Sequence, residues 1–355
     1  MSVNRLLLFL AAICTFWIIS PMSCSKSPTE EEDDIPTRDY GEFLHYYGMN
    51  SHWLSLIWSR NTNELFFAGN KGIQAVDLSA LTVRTIEGAD GVSNSFSNSW
   101  DLSHDGSTLY YLLTGASSHG PLYRISIDGQ NRQLLDQREC CELCSSIDDA
   151  QVAYYVYHPS SDGAADSIFT FDLDNHKRTF LCIGCPLTFS ADSKSLLYYC
   201  WTHPDSTRSQ NSYVSFYFKS IATGECCPVT IGTPYGQVVP KLFCDHSGIY
   251  ALLYSPKLFQ YCVRNITTNE ILYSWKTNVY GYGPSYTFSS LGTKIAYWSV
   301  FFDDNALNLV DLVDKKESRI AYSQERCAEH SIAFSPDDLK IAYAFGESIY
   351  MKEIM

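Results

Sequence analysis

One stretch close to the end of the sequence shows the pattern that the rest of the chain repeats: Ser331-Ile332-Ala333-Phe334-Ser335-Pro336-Asp337-Asp338-Leu339-Lys340-Ile341-Ala342-Tyr343-Ala344-Phe345. An apolar pair precedes Ser335, a Pro-Asp-Asp turn follows it, and Ile341, Tyr343 and Phe345 then alternate with small residues. Side chains that alternate with a period of two on both sides of a tight turn predict a β-hairpin.

This hairpin pattern occurs seven times in the chain. The residues that match Ser335 are at positions 59, 103, 146, 190, 244 and 289, so successive copies lie 44, 43, 44, 54, 45 and 46 residues apart. A second hairpin follows the first in each copy and is clearest at residues 122–134, where Asp128-Gly129 marks the turn. Two hairpins in a repeat of about 45 residues are typical of a β-propeller blade. The sequence therefore predicts an all-β fold, a seven-bladed β-propeller of four-stranded antiparallel blades.

The two ends of the repeat region predict how the ring of blades closes. After Phe345 only residues 348–354 remain, which is enough for a third strand and not for a fourth. The apolar segment 43–47 precedes the first copy without belonging to it. Because an uncovered strand edge exposes unpaired N–H and C=O groups, we expect residues 43–47 to pair with residues 348–354. An N-terminal strand would then complete the last blade and close the ring.

Composition and charge limit the functions open to the chain. It has 355 residues, of which 45% are hydrophobic, and a formal net charge of −14. This charge argues against a nucleic-acid partner, which needs a basic surface. The 14% aromatic content, with 25 tyrosines, suits sheets better than helices.

The first forty residues predict an exported and anchored protein. Arg5 precedes an apolar run at residues 6–19 that is short for a membrane span, as in a signal peptide. The run ends at Ser23-Cys24, and an acidic run, Glu30 to Asp34, lies among Ser, Pro and Thr. We therefore divide the chain into a signal peptide (residues 1–23), a solvated acidic tether (24–40) and a propeller domain (41–355).

Ser23-Cys24 resembles the lipobox of bacterial lipoproteins, although Pro21 and Met22 depart from its usual residues. The resemblance implies a lipid on Cys24, which would be the chain's only attachment to a membrane. The acidic run that follows resembles the surface-export signal of Bacteroidetes lipoproteins. It implies an outer-membrane lipoprotein exposed at the cell surface, with a periplasm-facing orientation as the alternative.

The repeats also resemble a known fold family. A Phe-Ser-x-Asp hairpin followed by a Tyr-x-x-Asp-x-Asp-Gly hairpin resembles the WD-repeat-like units of TolB-type propellers, over about residues 50–355. That resemblance implies a binding platform and no particular chemistry. Some TolB-related propellers are metal-dependent lyases that act on pectic fragments and hold the metal with histidines in the central funnel. His52 and His330, each just before a first strand, are the funnel candidates that this alternative would use.

The loops after the second strands are the predicted binding region, because these loops grow long in the middle blades and share one side of the propeller. They carry most of the candidate ligand-binding residues. The full set is His119, His158, Trp201, His203, Asp205, Arg208, His52 and His330. Histidines and aspartates from adjacent loops suit a glycan, a protein or a metal, while unrelated polar loop residues remain the plain alternative.

Eleven cysteines follow Cys24, an unusual number for a propeller. They include two Cys-x-x-Cys pairs, Cys141 with Cys144 and Cys182 with Cys185, in the connections into the third and fourth blades. Four such thiols suit zinc, but the 37 residues between Cys144 and Cys182 exceed the usual zinc-site spacing. An oxidising compartment would favour disulfides. Disulfides, buried thiols and a metal site all remain open at this point.

No nucleophile elbow, zinc-protease helix or phosphate-binding glycine loop occurs in the sequence. The sequence thus favours a monomeric, non-enzymatic cell-envelope protein that binds a glycan or an envelope protein and needs no cofactor. The alternative is a propeller enzyme such as the metal-dependent lyase.

Overall fold

The computed structural model describes residues 41–46, 55–69, 71–88, 100–113, 119–157, 167–202, 213–229, 242–245, 248–255, 260–265, 268, 270–276, 286–301, 304–323, 331–345 and 348–354. The chain divides into two units, Met1–Thr37 and Arg38–Met355, and all described residues belong to the second. The described residues form twenty-seven β-strands and no helix. The all-β prediction is confirmed for this part of the chain.

The strands are numbered in chain order. The first fourteen are β1 (Glu42–Tyr46), β2 (Leu56–Trp58), β3 (Glu64–Gly69), β4 (Gly72–Asp77), β5 (Thr82–Glu87), β6 (Trp100–Leu102), β7 (Thr108–Leu112), β8 (Gly120–Ser126), β9 (Gln133–Ser145), β10 (Gln151–Val156), β11 (Ser167–Asp172), β12 (Lys177–Ile183), β13 (Cys185–Phe189) and β14 (Ser195–Thr202). The others are β15 (Tyr213–Ser220), β16 (Cys226–Val229), β17 (Leu242–Asp245), β18 (Gly248–Ser255), β19 (Gln260–Asn265), β20 (Ile271–Lys276), β21 (Tyr286–Phe288), β22 (Lys294–Phe301), β23 (Asp304–Asp311), β24 (Lys316–Ser323), β25 (Ile332–Phe334), β26 (Lys340–Phe345) and β27 (Ser348–Glu353).

Five of the sheets have four antiparallel strands, as the repeat predicts. Four of them are simple meanders, β2-β3-β4-β5, β13-β14-β15-β16, β17-β18-β19-β20 and β21-β22-β23-β24. The fifth has the order β1-β27-β26-β25, so its outer strand comes from the other end of the chain.

One sheet departs from the predicted four strands. It has seven, in the order β12-β11-β10-β9-β8-β7-β6, because the long strand β9 is shared. The first half of β9 pairs with β8 as far as Cys140, and the second half pairs with β10 from Cys140 to Ser145. Within the second half, Glu142 adopts a positive φ of 30° at an irregularity in the pairing with β10. The predicted connection between the second and third repeats is therefore a bend within a strand instead of a loop.

The Ser-x-Asp turns explain why the repeat carries these residues. In the last copy, Ser335 Oγ donates to Asp337 Oδ1 at 2.6 Å and accepts a hydrogen bond from the Lys340 N–H at 2.8 Å. The residue after Asp337 closes the turn, since Asp338 donates its N–H to the Ser335 carbonyl with a left-handed φ of 57°. Matching serine-to-backbone bonds hold the turns that begin at Ser103, Ser146, Ser190 and Ser289.

The predicted pairing of the N-terminal segment with the last strand is confirmed. Phe43 lies opposite Tyr350 and His45 lies opposite Ile349 in the β1–β27 register. Leu44 is buried in an apolar cluster with residues of β2, β3 and β26. Gly41 enters β1 with a φ of 75°, and a Cβ there would lie 2.3 Å from the Met351 carbonyl oxygen. Only glycine fits this approach.

The core lies between neighbouring sheets. Apolar clusters join β2–β5 to β6–β8, β9–β11 to β13–β14, β19–β20 to β21–β23, and β22–β24 to β25–β27. Strand β13 also contacts β17. A further cluster packs β25–β27 and β1 against β2–β4, so the last sheet contacts the first. The sheets thus follow one another in a closed cycle.

Candidate functional site

The strand order separates the connections into two sides. In an antiparallel meander, the turns after the first and third strands lie on one side, here called the turn side. The turn after the second strand and the connection to the next sheet lie on the other, here called the loop side. The sequence predicts ligand binding on the loop side.

On the loop side, the rings of His119 and Tyr157 contact each other. His119 directly precedes β8, Tyr157 directly follows β10, and their ring centroids lie 4.0 Å apart with planes inclined by 32°. The Tyr157 N–H donates to the Glu139 carbonyl at 2.9 Å, which fixes the start of its loop against β9. Both side chains are half-buried. This pair places an imidazole and a phenol at the entry of two predicted binding loops.

The other predicted site residues are not placed. His158, His203, Asp205, Arg208, His52, His330 and the predicted lipidation residue Cys24 lie outside the described residues. The backbone of Trp201 belongs to β14 and pairs with Val214, while its side chain lies outside the described part. Of the predicted ligand-binding set, the structure therefore locates the side chain of His119 alone.

Cysteines of the two Cys-x-x-Cys pairs lie near two different tyrosines, Tyr155 and Tyr198. The Tyr155 hydroxyl hydrogen-bonds to the Cys141 thiol and lies near Cys185, and burial raises the pKa of this hydroxyl well above its ordinary value. Cys182 instead packs against the apolar cluster that contains Tyr198. Among the described residues, no group of three or more His, Cys, Asp or Glu side chains is arranged to hold a metal ion. The cysteines that the structure describes with their side chains carry thiols: Cys140, Cys141, Cys144, Cys182, Cys185, Cys200, Cys226, Cys227 and Cys262.

A cavity of about 370 Å³ opens on the turn side, where the last sheet meets the first. Its wall includes Arg60, Asn63, Asp337 and Lys340, with Trp58 among its apolar residues. The Arg60 guanidinium contacts the His104 ring at 2.6 Å, and burial lowers the pKa of Arg60 from its ordinary value. The cavity can hold a small polar molecule, and it lies on the side opposite the predicted binding loops.

The turns that line this cavity differ from two other pairs of turns. Where an aspartate follows the Ser-x-Asp motif, its carboxylate accepts backbone N–H bonds from the matching turn of the preceding repeat. Asp149 accepts from His104, and Asp338 accepts from Ser290. At the cavity, Thr62 stands in place of that aspartate, and the matching donor position in the last repeat is Pro336, which has no N–H.

One buried acid between the repeats was not predicted from the sequence. Asp136 on β9 accepts hydrogen bonds from the Tyr154 hydroxyl at 2.7 Å and from Arg138 Nη2 at 2.6 Å, and Arg178 lies 3.4 Å away. Burial alone would raise the pKa of Asp136, but the bonds from Arg138 and Tyr154 outweigh it and lower the pKa. Its neighbours Gln137, Arg138 and Glu139 are polar, so no pattern in the sequence marked this acid as buried. Its partners lie on β9, β10 and β12, so the carboxylate joins these strands.

A second contact repeats this arrangement one repeat earlier. The Tyr111 hydroxyl donates to Glu87 Oε2, and Arg132 lies 3.4 Å from the same carboxylate while stacking over Tyr123. A tyrosine on a second strand thus reaches an acid on the fourth strand of the preceding repeat in both places. These contacts build the scaffold beneath the loop side.

Comparisons with known proteins give structural similarity only. No protein-family model matches the chain, and no curated protein matches it. One similar solved structure is a chain of the mitotic checkpoint complex, at 13% identity and a TM-score of 0.61, covering 92% of this chain and 96% of that one. An oligogalacturonate lyase in complex with manganese has 14% identity and a TM-score of 0.61, covering 88% and 90%. The oligogalacturonate lyase of Vibrio parahaemolyticus has 11% identity and a TM-score of 0.63, covering 88% and 93%.

These neighbours are β-propellers, and the described sheets follow the same plan, so the chain has a β-propeller fold. At such low identity the similarity establishes the fold and no activity. Within the described ranges, no helix is long and apolar enough to span a membrane.

Proposed function

We propose that the propeller has seven blades. Strand β9 would serve as the fourth strand of one blade through its first half and as the first strand of the next through its second half. The change of partner from β8 to β10 at Cys140 supports this division. Counting β9 twice gives four strands to each of seven blades, which agrees with the seven sequence repeats.

The protein is a non-enzymatic binding protein that presents its loop side to a glycan or an envelope protein. The observation that carries this proposal is the 4.0 Å contact between the rings of His119 and Tyr157, which flank two successive predicted binding loops. Ring faces pack on the apolar faces of sugars and side chains, while imidazole nitrogens and phenol hydroxyls supply directional hydrogen bonds. Binding residues on loops above a rigid sheet scaffold are the usual arrangement.

A glycan array and an envelope-protein array probed with the full chain in detergent test this proposal. The double variant His119→Ala/Tyr157→Ala should lose binding while its unfolding temperature stays close to that of the parent. The matched control is His176→Asn, which removes an exposed imidazole from the turn side and suits the left-handed φ of 50° there. Equal binding by the parent and the double variant would contradict the loop-side proposal, as would the absence of binding on both arrays.

A metal-dependent lyase is the second candidate. The observation that favours it is the TM-score of 0.61 to a lyase in complex with manganese. Against it, the formal net charge of −14 disfavours a polyanionic substrate. The two funnel candidates, His52 and His330, lie outside the described residues.

Calorimetry with Mn²⁺ and an assay for unsaturated products from oligogalacturonate separate the two candidates. We expect neither metal binding nor product. Metal binding that is lost in His52→Ala and His330→Ala, together with product formation, would replace the binding-protein proposal with the lyase.

The envelope location rests on the N-terminal sequence. We propose that a lipid on Cys24 is the only membrane attachment and that the domain faces the cell exterior, with the periplasm as the alternative. Cys24→Ser should abolish incorporation of labelled palmitate and release the protein from membranes. Protease treatment of intact cells then distinguishes the two orientations, because only a surface-exposed domain is digested.

A further inference from the structure

Three cysteines lie around one tyrosine where the seven-stranded sheet meets the sheet β13–β16. Tyr198 and Cys200 are two residues apart in β14, so their side chains lie on the same face of the strand. That face packs against Ala153 and Ile168 of the seven-stranded sheet. Cys226 on β16 lies opposite Lys219 on β15, which lies opposite Leu196 on that same face of β14. Cys226 therefore faces the seven-stranded sheet too, and Cys182 belongs to the outer strand of that sheet.

Packing and one short contact bring these thiols to Tyr198. The Tyr198 hydroxyl lies 3.1 Å from Cys226 Sγ. Cys182 lies opposite Ile168 in the β11–β12 register, and it packs against the apolar cluster that contains Ile168 and Tyr198. Cys200 Sγ donates instead to the Ile183 carbonyl at 3.1 Å, immediately after Cys182. Cys182 and Cys226 thus both lie beside Tyr198.

Exposure sets the order in which these thiols would react. Cys226 is exposed, whereas Cys182 and Cys200 are half-buried. Burial raises the pKa of Cys182 to about 12 and also raises that of Cys200. Since the thiolate is the nucleophile, an external oxidant would meet Cys226 first.

We propose that Cys182 and Cys226 form an oxidation site, at which a small disulfide oxidant such as oxidised glutathione converts the two thiols into one disulfide. Cys226 gives up its proton, and its sulfur attacks one sulfur of the oxidant, whose other half leaves as a thiol. Cys182 then gives up its proton and attacks Cys226 Sγ in the mixed disulfide, so the second half of the oxidant leaves as a thiol. The protein loses two protons and two electrons, and the oxidant disulfide gains them.

This bond would tie the outer strand β12 to β16 of the next sheet. Both strands are outer strands of their sheets, and β12 exposes Phe180 and Ile183 to solvent. Fraying of such an edge requires the two strands to separate, which a covalent link prevents. The oxidised protein should consequently unfold at a higher temperature than the reduced protein.

Peptide mapping of the full chain without reduction, after treatment with oxidised glutathione, tests the proposal. We expect a linked peptide pair that contains Cys182 and Cys226, and the loss of two titratable thiols. Cys227 supplies the matched control: it follows Cys226 directly, pairs with Phe218 and points to the opposite face of the sheet. Cys227→Ser should keep the linkage, whereas Cys226→Ser and Cys182→Ser should lose it.

The parent protein alone decides the outcome, so the test does not depend on the folding of a variant. A glutathione adduct that remains on Cys226 without a linkage would overturn the proposal. A linkage from Cys226 to Cys227 or to Cys200 would overturn it as well.

Discussion

Asp338 Oδ1 accepts a hydrogen bond of 2.7 Å from the backbone N–H of Ser290, in the turn of the preceding sheet. Its second oxygen accepts the Leu291 N–H at 3.0 Å. Asp149 makes the same pair of bonds to the turn at His104, and both aspartates have left-handed φ values, 57° and 55°. Each aspartate thus closes its own turn through its backbone N–H and joins that turn to the preceding repeat through its carboxylate.

Substitutions at Asp338 separate two effects on stability: the loss of the carboxylate and the strain of a left-handed backbone. Asp338→Ala removes an acceptor from two part-buried N–H groups, at a cost of about 1–3 kcal/mol each if they stay unpaired, and strains the backbone. Asp338→Gly loses the same bonds without strain, and Asp338→Asn keeps one acceptor. Urea unfolding should rank stability as Asp, Asn, Gly, Ala from highest to lowest. Equal stability of the Gly and Ala variants would contradict the role given to φ.

Breaking the pair between Asp136 and Arg138 should destabilise the junction between the second and third repeats. Asp136→Asn leaves Arg138 and Tyr154 facing a neutral group at a buried position. Breaking a buried ion pair costs about 3–5 kcal/mol, and we expect the lower end because Arg138 is partly exposed. The control is Asp128→Asn in an exposed turn, which should change the free energy of unfolding by about 0.5 kcal/mol or less. Denaturant titrations of both variants give the comparison.

The same carboxylate predicts a pH dependence. The pKa of Asp136 is lowered in the folded protein below its ordinary value of 3.8. A carboxyl group with a lowered pKa contributes stability that is fully present above its unfolded pKa and disappears as the pH falls through the folded pKa. The gap in unfolding free energy between parent and Asp136→Asn should therefore narrow on acidification below about pH 4. A gap that widens at low pH would contradict this assignment.

The closing strand β1 should depend on its buried residue and not on its exposed one. Leu44 is 5% exposed, whereas the neighbouring Phe43 is 52% exposed. Leu44→Ala should lower the free energy of unfolding by about 2–5 kcal/mol, as expected for a buried leucine. Phe43→Ala serves as the control and should cost far less. Similar losses at the two positions would mean that β1 does not close the last sheet.

Truncation tests the same closure at the level of the whole strand. A chain that begins at Ser51 lacks β1 and uncovers the edge of β27, so it should aggregate. A chain that begins at Asp39 keeps β1 and should unfold like the parent. Light scattering and thermal unfolding distinguish the outcomes, and a monomeric, equally stable Ser51 chain would contradict the closure.

The sequence predicted the elements that local residues determine. Each Ser-x-Asp turn is held by bonds within a few residues, as at Ser335 and Asp337, so its pattern is visible in the sequence. Strand β9 was not foreseen, because sequence repeats indicate where strands belong and not where one strand continues into the next. The absence of Gly, Pro and Asn between Gln133 and Ser145 was the available signal.

Less of the candidate site than of the fold could be predicted from the sequence. The loop pattern predicted His119, and the structure adds Tyr157 as its neighbour. The grouping of Cys182 with Cys226 depends on strand register and on packing between sheets, neither of which a spacing of cysteines reveals. The turn-side cavity depends likewise on the contact between the first and last sheets.

Hydrogen–deuterium exchange of the full chain, with and without the array ligand that binds most tightly, tests the binding proposal most directly. We expect the ligand to protect backbone amides in peptides that cover residues 113–121 and 156–167, on the loop side. Peptides that cover the turns at residues 103–108 and 146–151 should exchange equally in both samples. Protection of those turns, or of the cavity residues 59–63, without protection of the two loops would contradict the account.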